Sequence, residues 1–143
     1  PNIPLADTMD LAAFLKDQFL GRLAAFRQAP AFDSLPMRPA RAVRSSGDPM
    51  GHRYTETIAG EGLTVELVWE DLEPPRALEL TPDQVGTGMH TMFTLLVPAR
   101  SARIIVNGKA LAGEVGTRVQ AGFETTTAFL YFSETWVIPP GRA

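Results

Sequence analysis

Apolar side chains recur along this chain with two different periods. Leu11, Phe14, Leu15, Phe19, Leu23 and Phe26 stand three and four residues apart, with Asp10, Lys16, Asp17 and Arg27 between them. That spacing predicts an amphipathic helix over residues 7–28, capped by Asp7 or Thr8 and stopped before Pro30. Six large groups on one face would each contribute about 1.5–3 kcal/mol if fully buried. The helix is therefore expected to lie on its own sheet or on a partner subunit.

Beyond residue 50 the period shortens to two. Residues 52–58 and 63–69 read as a hairpin around Gly60-Glu61-Gly62, with Leu63, Val65, Leu67 and Trp69 on one face opposite Thr64, Glu66 and Glu70. Residues 77–80 predict a short strand, and Thr81-Pro82-Asp83 the start of a loop. Residues 89–97 and 102–106 predict two strands separated by Pro98, the second closing on an Asn107-Gly108 turn, with residues 109–112 as its return. Residues 117–121 predict a further strand. Residues 125–138 are the most β-prone run and predict one long strand with few exposed faces, ended by Pro139-Pro140. Between helix and strands, residues 30–50 carry four prolines together with Arg38, Arg41 and Arg44, which predicts an irregular basic arm. Eight of the 16 acids fall between Glu56 and Asp83, so arm and acidic middle are expected to lie near each other. The whole predicts a mainly β chain, with residues 1–143 as a single domain. A helix at 7–28 and an arm at 30–50 precede an antiparallel β-sandwich or small barrel at 50–138.

Composition narrows the function classes. At 143 residues the chain can build one core without staples. It has no cysteine, which excludes disulfides, thiolate metal sites and cysteine nucleophiles. A net charge of −3 argues against a nucleic-acid binder that works by neutralising phosphates. No apolar run approaches the roughly 20 residues that span a bilayer, and no leader pattern opens the chain. A soluble, cytoplasmic protein is the expectation, with no membrane partner.

The metal-competent residues are His52, Glu56 and His90. On a strand, residues 52, 54 and 56 share a face, so His52 and Glu56 could join His90 in a two-histidine, one-carboxylate set suited to non-haem iron. Structural or surface histidines are the competing reading. No serine lies in a Gly-x-Ser-x-Gly elbow. Glu66, Glu70 or Glu134, the last between Phe132 and Trp136, could serve as a buried acid. Phe93, Leu95, Phe129, Tyr131 and Trp136 could line an apolar cavity for an aromatic small molecule.

The strand sequences VELVWEDLEPPRALEL, HTMFTLLVPARSARIIVNGKALAG and TTTAFLYFSETWVIPP, preceded by a helix and a Pro/Arg-rich arm, resemble the small subunit of the two-component hydroquinone 1,2-dioxygenases. The resemblance covers most of the chain. It implies a cupin-like jelly-roll and an accessory role in a hetero-oligomeric ring-cleaving enzyme. Fe(II) would then be held by a larger cupin-type subunit, with no cofactor on this chain. The sequence departs from metal-binding cupins: no histidine follows His90 at a two-residue spacing, and none lies in the last strand. Two alternatives stay open, a stand-alone cupin-like metalloenzyme using His52, His90 and Glu56, and a small-molecule-binding β-barrel.

Overall fold

A computed structural model describes residues 5–18, 36–120 and 122–137. They are mainly β. The strands are β1 (Leu5–Ala6), β2 (Arg38–Gly47), β3 (Arg53–Gly60), β4 (Leu63–Leu72), β5 (Arg76–Leu80), β6 (His90–Val106), β7 (Lys109–Ala110), β8 (Thr117–Gln120), β9 (Phe123–Thr126) and β10 (Ala128–Val137). Two helices accompany them, α1 (Met9–Gln18) and the single turn α2 (Pro82–Val85). Strands β1-β2-β3-β4-β6-β10 are neighbours in one sheet, with β5 and β7 also paired to β6, while β8 and β9 pair separately. The sheet is mixed rather than wholly antiparallel, because β1 runs parallel to β2.

The contacts gather into two compact units. One comprises Pro1–Pro39, Leu78–Thr94 and Ser133–Ala143; the other comprises Ala40–Ala77 and Leu95–Phe132. The first holds α1, whose Ala12 N–H donates to the Thr8 carbonyl at 2.9 Å, so Thr8 takes the N-cap position. Residues 19–28 of the expected helix lie outside the described residues. The apolar stripe of α1 is not covered: Leu11, Phe14 and Leu15 are all exposed.

The second unit holds the antiparallel ladder β2-β3-β4-β6. Here the basic arm proves to be a strand. Ala40 and Ala42 turn inward while Arg41, Val43 and Arg44 stay outside, and Pro39 sits near the strand's start, where its missing N–H costs the ladder little. The β2–β3 turn is closed by Asp48, whose carboxylate accepts the Met50 N–H at 2.8 Å. Gly47 opens that turn at φ 91°, and a Cβ there would collide with the Arg53 carbonyl oxygen. The part of the arm at residues 30–35 lies outside the described residues.

Three further expectations are corrected. The loop expected at Thr81 begins with α2 instead, because Thr81-Pro82-Asp83-Gln84 is a helix start: Pro82 is at N1 and Gln84 Oε1 accepts the Thr81 N–H at 2.9 Å. Pro98 does not separate two strands, since β6 runs through it. The ladder with β4 begins one residue later, at Leu72↔Ala99, so the N–H that proline lacks is not needed there. Its carbonyl accepts the Glu73 N–H at 2.8 Å. The last strand is broken at Thr127, whose N–H donates to the Gly116 carbonyl and whose hydroxyl accepts the Gly116 N–H, each at 2.9 Å. Nor is that strand hidden, for every residue from 131 to 137 is exposed.

Burial in β4 is uneven. Its most buried residue is Val68, on the face shared with Glu66 and Glu70. Leu63, Val65, Leu67 and Trp69 are only half-buried. Full burial is concentrated in β6, at Thr94, Leu96, Val97, Pro98 and Ala99.

Candidate functional site

The proposed metal residues are held apart in role. His52 precedes β3 rather than lying in it, is exposed, and contributes its carbonyl to the Asp71 N–H at 2.9 Å. Glu56 is half-buried in β3, opposite Ser45 of β2 and Leu67 of β4, so it shares a face with apolar neighbours. His90 opens β6, and its Nδ1 lies 2.9 Å from the Thr87 hydroxyl, which also accepts the His90 N–H at 3.2 Å. This local pairing in the Gly86-Thr87-Gly88 turn fixes the ring. Among the described residues, no three His, Cys, Asp or Glu side chains gather closely enough to hold a metal ion.

Of the carboxylates considered as buried acids, Glu66 is half-buried in β4 between Thr57 of β3 and Ile105 of β6. Glu70 lies between two guanidiniums, Arg103 at 3.0 Å and Arg53 at 3.7 Å. These come from β6 and β3, the strands on either side of β4, and the trio crosses the sheet as a charged ladder. Glu73 holds Arg100 at 2.7 Å, a hydrogen bond that raises the arginine's pKa above its ordinary value. Glu134 is exposed. The basic strand β2 does meet the acidic middle, with Arg41 3.5 Å from Glu61, both well exposed.

The apolar set expected to line a cavity lies on β6 and β10, with mixed exposure. In β6, Phe93 is exposed and Leu95 half-buried, while Thr94 and Leu96 take the fully buried positions. Trp136 is exposed in β10. Phe129 and Tyr131 do meet, edge to face with centroids 4.7 Å apart.

Around that pair lies a cluster which sequence reasoning missed. Arg118, from β8, places its guanidinium 4.4 Å above the centre of the Phe129 ring. Burial pushes the Tyr131 phenol above its ordinary value, with Arg118 pulling the other way. Arg118 stands opposite Thr125 in the β8–β9 ladder, and Phe123, on the same face, lies 4.5 Å beneath Arg76. The sequence signal was the strand pair itself. Once Arg118 is placed across from Thr125, its side chain shares a face with Phe123, but its meeting with β10 depends on the fold.

The chain matches no protein-family model, and no curated protein or solved structure matches it significantly.

Proposed function

We propose that this chain is an accessory subunit of a hetero-oligomeric, hydroquinone-type ring-cleaving dioxygenase. In this reading it adopts a degenerate cupin-like jelly-roll in the cytoplasm, and Fe(II) and catalysis reside on a larger cupin-type subunit. The observation that carries the subunit role is β10. From Tyr131 onward it exposes both faces, with Tyr131 42%, Phe132 40%, Trp136 50% and Val137 55% accessible. A strand this rich in aromatic and β-branched groups belongs in an interior or an interface, where each large group would contribute about 1.5–3 kcal/mol on burial. The apolar face of α1 adds Leu11, Phe14 and Leu15 to the uncovered surface. The dioxygenase assignment itself rests on the resemblance of the strand sequences, and no helix of the described residues is long and apolar enough to cross a membrane.

The test is to purify the chain with its native partners from the source organism and to analyse metal in both forms. The expected result is co-purification with a larger iron-containing chain whose ring-cleaving activity depends on this one. Stoichiometric iron on the isolated chain, with activity to match, would sink the accessory reading in favour of a self-sufficient enzyme.

A further inference from the structure

We propose that the outer edge of β2 takes up an extended acidic segment of a partner protein as an added strand. The proposed site does not depend on the dioxygenase reading, because it is built from the ladder of the second unit alone. Among the described residues, β3 pairs with the inner edge of β2, and β1 covers the outer edge at Arg38 and Pro39 alone. Past that point Arg41 and residues 43–47 are exposed.

The register decides which backbone groups point outward. The His52 carbonyl accepts the Asp71 N–H, so His52, Tyr54, Glu56 and Ile58 turn their backbone groups towards β4. Thr55 and Thr57, which alternate with them, bond to β2 at Ser46 and Arg44. Val43 and Ser45 alternate in turn with Arg44 and Ser46, so their N–H and C=O groups face out of the edge. Open groups in such a row are what an added strand pairs with.

The side chains select the strand. Val43 is 51% exposed, on the sheet face it shares with Ile58 and Val65. Arg44 lies on the other face, across from Thr57, and no carboxylate pairs with it among the described residues. By register the first acid on that face is Glu66, two strands inward and about 10 Å away. Arg41, at the irregularity between Ala40 and Ala42, meets exposed Glu61 at 3.5 Å, a solvated pair that holds it weakly. Two cations therefore border the edge. Glu56 stands beside Ser45 on the Val43 face, so incoming carboxylates belong on the Arg44 face and apolar groups on the Val43 face. The occupant that fits alternates acidic and apolar residues. A second copy fits worse, because it brings its own Arg41 and Arg44 to the same edge, and like charges across a strand pair repel. Charges and bulges on an edge guard against self-pairing; here they also favour an oppositely charged strand.

The probe is a capped, fluorescein-labelled peptide, Val-Glu-Val-Glu-Val-Glu-Val, with its lysine counterpart as control. Anisotropy reads binding to the whole chain, and amide hydrogen exchange followed by NMR reads the edge. The acidic peptide should bind saturably and protect the Val43 and Ser45 amides, and the lysine peptide should do neither. Arg44→Glu should weaken the acidic peptide by about tenfold and admit the lysine one. Ser45→Pro removes an outward donor and none of the bonds to β3, so it too should weaken binding while the circular dichroism spectrum stays unchanged. That second variant keeps the test decisive if Arg44→Glu does not fold. Equal binding of the two peptides overturns the proposal, as does acidic-peptide binding that leaves both amides unprotected. Protection of the same amides that grows with protein concentration in the absence of peptide, with a dimer in sedimentation, also overturns it and gives the edge to a second copy.

Discussion

Thr125 stands in β9 with a hydroxyl that is buried and finds no hydrogen-bond partner among the described residues. Its neighbours are better served. The Thr126 hydroxyl donates to the Ala128 carbonyl at 2.6 Å, and the Thr127 hydroxyl accepts from Gly116. The run Thr125-Thr126-Thr127 reads in sequence as uniform β-branched strand, yet the three hydroxyls meet three different fates. Those local side-chain bonds are why the expected long strand divides into β9 and β10. A buried hydroxyl without a partner costs about 1–3 kcal/mol. Thr125→Val keeps the shape and the β-branching and removes the polar atom. It should raise stability by about 1 kcal/mol, seen as a higher urea midpoint at unchanged slope. A lower midpoint would show that the hydroxyl is satisfied after all.

At the scale of elements, two hairpin turns are joined by one asparagine. Asn107 sits at φ 48° and Gly108 at φ 77°, the double left-handed backbone of the tight turn that Asn-Gly announces in sequence. The sequence does not announce what the Asn107 side chain does. Its Oδ1 accepts the Thr64 N–H at 2.7 Å and its Nδ2 donates to the Gly62 carbonyl at 3.2 Å, while its own N–H donates to the Thr64 carbonyl at 2.8 Å. The turn after β6 is thereby latched onto the turn between β3 and β4. Asn107→Ala should lower stability by about 1–3 kcal/mol, combining lost hydrogen bonds with a side chain that resists positive φ. Asn107→Gly should recover only the backbone share. Equal denaturation midpoints for wild type and Asn107→Ala would remove the latch. The same contrast explains what could be read in advance. Local signals such as Asn107-Gly108, Gly60-Glu61-Gly62 and the alternation of residues 63–69 placed strands and turns correctly. Features that depend on neighbours in space did not follow from them: the passage of β6 through Pro98, the strand within the Arg38–Gly47 arm, and the burial of Thr94 and Leu96 rather than Phe93 and Leu95. Pro98 illustrates the reason. A proline disrupts a strand only where its N–H is needed, and that need is set by where β4 begins to pair.

For the whole molecule, the imbalance between buried and exposed apolar groups is the strongest constraint on function. Val68, Leu96, Val97 and Leu130 are buried, while Leu11, Phe14, Val43, Ile104, Phe132, Trp136 and Val137 are left open. In the second unit, Tyr54 meets Trp69 and Phe132 with ring centroids 6.2 Å apart, an aromatic group that is packed but not sealed from water. Large apolar surfaces of this kind are covered in a working assembly, since exposure forgoes about 25 cal/mol for each Å². The two tryptophans make the idea measurable. With Trp69→Phe, Trp136 becomes the one indole. In the isolated chain it should emit at long wavelength and be quenched readily by iodide, as a half-exposed ring must be. Addition of the proposed larger subunit should shift the emission to the blue and protect it from the quencher, and Trp136→Ser should weaken that complex by about 2 kcal/mol or more if the ring lies at the centre of the interface. Complex formation that leaves the Trp136 spectrum and its quenching unaltered would place the interface away from β10, and the exposed strand would lose its standing as the sign of a partner.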